Sequence, residues 1–201
     1  MECDWEVELG ADAPVIDAGW PGWVDLRTNP ERVAELPEAA DFPALATALL
    51  ALNAPASPLW TAKCDLWPID DPGEVDTDEL AAAPGDCLAA LACYIDCLPL
   101  ANGLFPTPAV GEAWLRAAVA GLGRIDAPDA RADLVLRRAV TATEEGFGVT
   151  AYLTACGRTE SAARESLQRA LAAFAQMAVA TPPPAGSLSK ALSGYNEFVG
   201  E

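Results

Sequence analysis

The chain contains no histidine. That absence removes histidine-dependent triads, the HExxH type of metal site and cysteine–histidine nucleophile pairs. Lysine is almost missing too, with only Lys63 and Lys190, and twelve bases face thirty acids for a net charge of −18. A field of that sign opposes contact with a phosphate backbone, so no nucleic-acid partner is expected. Six cysteines occur without a CxxC pair. No apolar run is long enough to cross a bilayer, and the opening "MECDWEVELG" is acidic where an export signal would be basic and then apolar. The expectation is a soluble, cytoplasmic protein with no membrane partner, its thiols reduced and serving as small hydrophobes. A zinc site from Cys87, Cys93 and Cys97 would need thiolates to converge from one short strand, so no metal and no cofactor are expected.

What is present is a globular pattern, with 52% apolar residues over 201 positions. "DWEVELG" alternates Trp5, Val7 and Leu9 with Glu6 and Glu8, which predicts a strand with one buried side. Residues 10–35, broken by Gly10, Pro14, Gly19, Pro21, Gly22 and Pro30, predict an irregular connection pinned by Trp20 and Trp23. Asp41 as N-cap and Pro43 in the first turn predict a helix carrying Leu45, Ala48, Leu49 and Leu52. Strands follow at "LWTAKCDLWPI" and within "CLAALACYIDCLPL". Thr107-Pro108 opens a second helix with Trp114, Leu115, Ala118, Val119 and Leu122 on one stripe. "ADLVLRRAVTA" and "FGVTAYLTACG" flank a hairpin turn at "TEEG", and Thr159 caps a last helix striped by Leu167, Leu171, Phe174 and Ala178.

An α-β-β unit therefore occurs twice. The pattern predicts an α+β fold in one domain over 1–180: an antiparallel sheet with helices packed on one face, a two-layer sandwich that resembles ferredoxin-like folds in general architecture. "TPPPAGS" begins a proline-rich linker and tail over 181–201, which includes Tyr195 and Phe198.

Parity then assigns the faces. Leu134, Leu136 and Val140 point one way and Val135, Arg137 and Ala139 the other; Val149, Ala151, Leu153 and Ala155 oppose Thr150, Tyr152 and Thr154. Matching these faces requires an even loop, of two or four residues, around Glu144, Glu145 and Gly146. The same rule turns Trp60, Ala62, Cys64 and Leu66 inward and leaves Thr61, Lys63, Asp65 and Trp67 on the opposite face, beside Tyr94 and Asp96. If helices cover one side only, the other is an open polar face. Its candidate ligand or interface residues are Lys63, Asp65, Trp67, Tyr94, Asp96, Arg137 and Tyr152.

Two clusters look like chemistry and read as structure. The segment "DDPGEVDTDE" lacks the order of ligands and the terminal glutamate of a calcium loop. Gly146 and Gly148 precede a strand and no GK[ST] occurs, so they form no phosphate loop. The leading expectation is a non-catalytic module that associates through the open face, as a homodimer or around a small-molecule ligand. A second is an enzyme using Asp65 and Asp96 as a carboxylate pair beside Lys63. A third is an acidic, immunity-type partner for a basic target.

Overall fold

The computed structural model describes residues 1–83, 85–100 and 103–184; the positions of Tyr195 and Phe198 lie outside them. Among the described residues, six strands form a single mixed sheet: β1 (Glu2–Glu8), β2 (Ile16–Asp17), β3 (Leu59–Pro68), β4 (Ala89–Pro99), β5 (Ala130–Val140) and β6 (Glu145–Gly157). The order is β1-β5-β6-β4-β3, with β2 also paired to β5. The helices are α1 (Pro37–Asp41), α2 (Pro43–Leu52), α3 (Pro108–Leu122) and α4 (Glu160–Ala180). No helix is long and apolar enough to cross a membrane among the described residues.

The architecture is α+β, with α2-β3-β4 and α3-β5-β6 as the two repeated units. The expectation of a purely antiparallel sheet is corrected. β3, β4, β6 and β5 are antiparallel neighbours, but β1 runs parallel to β5, with Trp5 opposite Leu134 and Val7 opposite Leu136. β2 joins the same edge of β5 further along, Ile16 against Ala139, also in parallel. Antiparallel order follows where a short hairpin forces it. β1 has no hairpin to β5, and more than a hundred residues separate them, so nothing local fixes its direction.

The expected even loop is found, but two residues earlier than "TEEG", since Glu145 and Gly146 already belong to β6. Val140 pairs Glu145 across the four-residue loop Thr141–Glu144, closed by the Thr141 N–H donating to the Glu144 carbonyl at 2.9 Å. Leu134, Leu136, Val149, Ala151, Leu153 and Ala155 then share one face and are essentially inaccessible. They pack under α3 and α4, whose stripes contribute Trp114, Leu115, Ala118, Leu122, Leu167, Leu171 and Phe174 to the same core. Each of the leucines and Phe174 contributes on the order of 2 kcal/mol from burial. Gly111 is glycine because a Cβ there would collide with Leu136, so α3 can lie close on the sheet.

Thr107 and Thr159 cap α3 and α4, their hydroxyls accepting from the N–H groups of Val110 and Ala162. Asp41 does not cap α2: it ends the short α1, and the cap position is Phe42, with no side-chain hydrogen bond. Pro43, at the first position, has no N–H to satisfy.

The parity expected for β3 is half right. Pairing shifts between Thr61 and Lys63, where an extra residue makes a β-bulge. Lys63, Asp65 and Trp67 stay on the face away from the main core, as expected. Below the bulge the faces exchange: Thr61 turns to the helix side, where it bonds Asn53 at the end of α2, and Trp60 and Ala62 turn away from it. An edge strand tolerates the extra residue because only one neighbour has to follow.

The second face of the sheet is covered at both ends. Residues 10–29 lay Ile16, Ala18 and Trp23 over Trp60, Leu98 and Ala139. The Trp20 indole N–H donates to the Ala62 carbonyl, so both predicted tryptophan pins are in place. Residues 69–83 lay Leu80 and Ala82 over Ala90 and Cys156 at the other end. Between these covers a band of the sheet remains open.

Candidate functional site

Registers place the open band residue by residue. One row across the strands reads Lys63, Asp96, Thr150, Val135, Glu6; the next reads Asp65, Tyr94, Tyr152, Asp133, Asp4. All seven residues expected from the sequence lie on this face. Five of them, Lys63, Tyr94, Asp96, Arg137 and Tyr152, meet in one cleft of about 300 Å³, walled by Val15, Asp17 and Trp20 of the overhanging segment. Its size is at the lower end for small-molecule sites.

The floor of the cleft is a hydrogen-bonded chain. Glu8 Oε2 accepts from Arg137 Nε at 2.9 Å and from Nη2 at 2.5 Å. Arg137 Nη1 donates to the Tyr152 hydroxyl at 2.8 Å and to Thr150 Oγ1 at 3.3 Å. Thr150 in turn donates to Asp96 Oδ1 at 2.6 Å. Arg137 and Asp96 are each only 8% exposed, so two charged groups are held inside the sheet face. Arg137 is satisfied by its carboxylate and hydroxyls. Asp96 has a hydroxyl donor and, among the described residues, no ion pair.

That difference governs titration. Burial pushes the Asp96 carboxyl above the usual carboxylate range, opposed by the Thr150 hydrogen bond and then by Arg137 and Lys63. Burial also works against the Arg137 charge, but the bonds with Tyr152 and Glu8 outweigh it and hold the guanidinium above its usual value. Bonding with Tyr94 raises the Lys63 ammonium, with Asp96 and Asp65 adding to the rise after a small burial cost. Tyr94 is itself pushed up, by burial first.

Aromatic rings continue out of the cleft. Trp67, Tyr94 and Tyr152 form a tilted ladder, with centroids 6.2 Å and 6.0 Å apart. The Arg137 guanidinium lies 5.3 Å from the Tyr152 ring centre, and Lys63 Nζ lies 5.9 Å from that of Trp20. Trp67, Lys63 and Asp65 are exposed and the two tyrosines half-buried.

The carboxylate pair of the enzymatic expectation is not assembled in this arrangement. Asp65 accepts from its neighbour's N–H, Leu66, at 2.8 Å, and it stands outside the cleft that holds Asp96. It lines a second cavity of about 370 Å³ beyond the edge of β3, together with Cys64. Burial pushes the Cys64 thiol up to about 12, which leaves it a poor nucleophile. In the acidic segment, Asp71 and Asp76 accept from the N–H groups of Gly73 and Asp78 and so shape turns. Among the described residues no three potential ligand side chains are grouped for a metal ion.

Sequence reasoning missed Glu8, Asp17 and Trp20 as members of the site. Glu8 was read as a polar strand residue, and only the unforeseen β1–β5 pairing carries it to Arg137. Asp17 and Trp20 belong to a segment without periodicity, which gives no information on what it covers. Comparison with protein-family models, with curated proteins and with solved structures found no match to this chain.

Proposed function

We propose that the protein is a non-catalytic binding module whose working surface is the open band between the two covers. The observation that carries this reading is the aromatic ladder of Trp67, Tyr94 and Tyr152 on the open band, with Trp67 exposed and both tyrosines half-buried. Rings in such a position present broad, rigid contact area at little entropic cost, which is the composition of binding hot spots. The unassembled carboxylates, with Asp65 accepting from the Leu66 N–H outside the cleft that holds Asp96, weigh against acid–base chemistry at this site.

The occupant differs from the face that receives it. Self-pairing would set Asp65, Asp133, Asp4 and Glu6 of one copy against the same carboxylates of another, a repulsive arrangement. A heterologous partner or a ligand fits better than a homodimer. The test is the Tyr94→Ala, Tyr152→Ala double variant, followed by light scattering and by thermal melting in the presence of candidate ligands. The reading expects unchanged folding with loss of association or of ligand-induced stabilisation. A variant that keeps its mass, its melting point and every ligand response would refute it.

A further inference from the structure

Resting on the reading of the band as a binding surface, we infer that its occupant is a basic protein, docked by lysine and arginine side chains over the tyrosine pair. The row through the middle of the band is Asp65, Tyr94, Tyr152, Asp133, Asp4: two rings with carboxylates at both ends. A cation placed there meets a ring face and a carboxylate together. The neighbouring rows add Glu6 and Glu2 at the β1 edge, both exposed.

The cations of the face do not balance these acids. Arg137 is held by Glu8, and Arg131 bridges Asp133 at 2.7 Å and Glu79 at 3.2 Å. Lys63 is the remaining base of the band among the described residues, and it leans towards Trp20 and Tyr94.

The size of the band carries the inference further. Five strands and three rows span roughly 20 by 15 Å. A stable interface needs about 800 Å² on each partner. A docked protein must therefore also rest on the covers that border the band. One of these borders, residues 70–79, adds Asp70, Asp71, Glu74, Asp76, Asp78 and Glu79 without one base. A partner broad enough to bind stably meets carboxylates around an aromatic centre, and its matching surface is rich in arginine and lysine. The helix layer offers no such field: α4 carries Arg164 and Arg169 against Glu160 and Glu165, and α3 carries Arg116 against Glu112.

The test uses the full chain and a fluorescent deca-arginine peptide, titrated at low and at moderate salt. Three variants are compared after circular dichroism establishes that each is folded. The first, Asp4→Asn, Glu6→Gln, Asp65→Asn, neutralises the band; the second, Glu112→Gln, Glu160→Gln, Glu165→Gln, removes the same charge from the helix layer. The third is Tyr94→Ala, Tyr152→Ala. Tenfold or greater weakening by the band variant, against less than threefold by the helix variant, supports the inference. The tyrosine variant should weaken binding with an unchanged salt dependence, since ring contacts release no counterions.

Equal losses from the two charge variants would reduce the binding to bulk charge and overturn the inference. If deca-arginine ignores the band while the tyrosine variant still loses mass or ligand-induced stabilisation, the basic partner falls and the binding surface stands. If the tyrosine variant changes neither peptide binding nor any other response, both fall.

Discussion

One sheet has two faces in this protein, and the chain treats them differently. Towards the helices, Leu134, Leu136, Ala151 and Leu153 are fully covered by regular elements whose own apolar stripes match them. On the other side, two irregular segments, one carrying Trp20 and Trp23 and the other strongly acidic, cover the ends and stop short of the middle. The first face holds the fold together. The second face encloses a buried arginine–threonine–aspartate chain beside half-buried tyrosine rings, an arrangement that costs desolvation and is retained without a helix to shield it.

The comparison breaks most visibly at neighbouring residues of β6. Leu153 is inaccessible under α4 and Thr154 is half-exposed on the open band. Leu153→Asp should destabilise by on the order of 4 kcal/mol, and Thr154→Asp by less than about 1 kcal/mol. Denaturant midpoints measure both, and equal midpoints would reverse the assignment of faces.

A smaller effect separates cover from core. Trp60 is 7% exposed, packs against Trp23 with ring centres 5.7 Å apart, and carries the Arg27 guanidinium at 4.0 Å. Arg27 also holds the Asp25 carboxyl below its usual range, chiefly through their hydrogen bond. Trp60→Ala should cost about 3 kcal/mol. Limited proteolysis should then cut within residues 10–29 before the helices are attacked; first cleavage in α3 or α4 would contradict the division.

Titration sharpens the comparison within the second face itself. The folded carboxyl of Asp96 has a raised pKa, so its contribution is complete below the unfolded value and is lost as pH rises through the folded one. Asp96→Asn keeps an acceptor for Thr150 and removes that loss. The variant should melt roughly 2–4 °C higher at neutral pH. Its advantage should disappear below the ordinary carboxylate range, and a gain that is flat with pH would show that Asp96 ionisation is not the cause.

The smallest effect concerns thiols. All six cysteines are free, with Cys93, Cys97 and Cys156 buried and Cys3, Cys64 and Cys87 half-buried. Burial pushes the Cys156 thiol up to about 12. Alkylation of the native protein should label the half-buried group first. Mass measurement after unfolding without reductant should recover six labels; fewer would indicate disulfides.

Much of this division was legible from residue order alone. Period-two alternation gave the faces of β5 and β6, and the requirement that those faces match gave an even hairpin loop. Threonines before Pro108 and Glu160 marked two helix starts. Three features were not legible. The direction of β1 depends on a partner far along the chain. The bulge at Thr61–Lys63 leaves no mark in the alternation of "LWTAKCDLW", because Trp60 and Ala62 are apolar and suit either side. The covers are aperiodic, so Trp20 and Asp17 gave no sign that they wall the cleft beside Lys63. All seven site residues lie either beyond the bulge or on strands whose parity it does not disturb, which is why the candidate site survived an error in the strand that suggested it.

The central claim is that the second face binds and the helix face holds. Oxidative footprinting of the full chain, with and without deca-arginine, tests it most directly, since aromatic side chains report their own accessibility. The account predicts protection at Trp67, Tyr94 and Tyr152, with no change at Leu50 of α2 and Val179 of α4, which are exposed on the helix layer. Protection at Leu50 and Val179 with the three rings unaffected would contradict it.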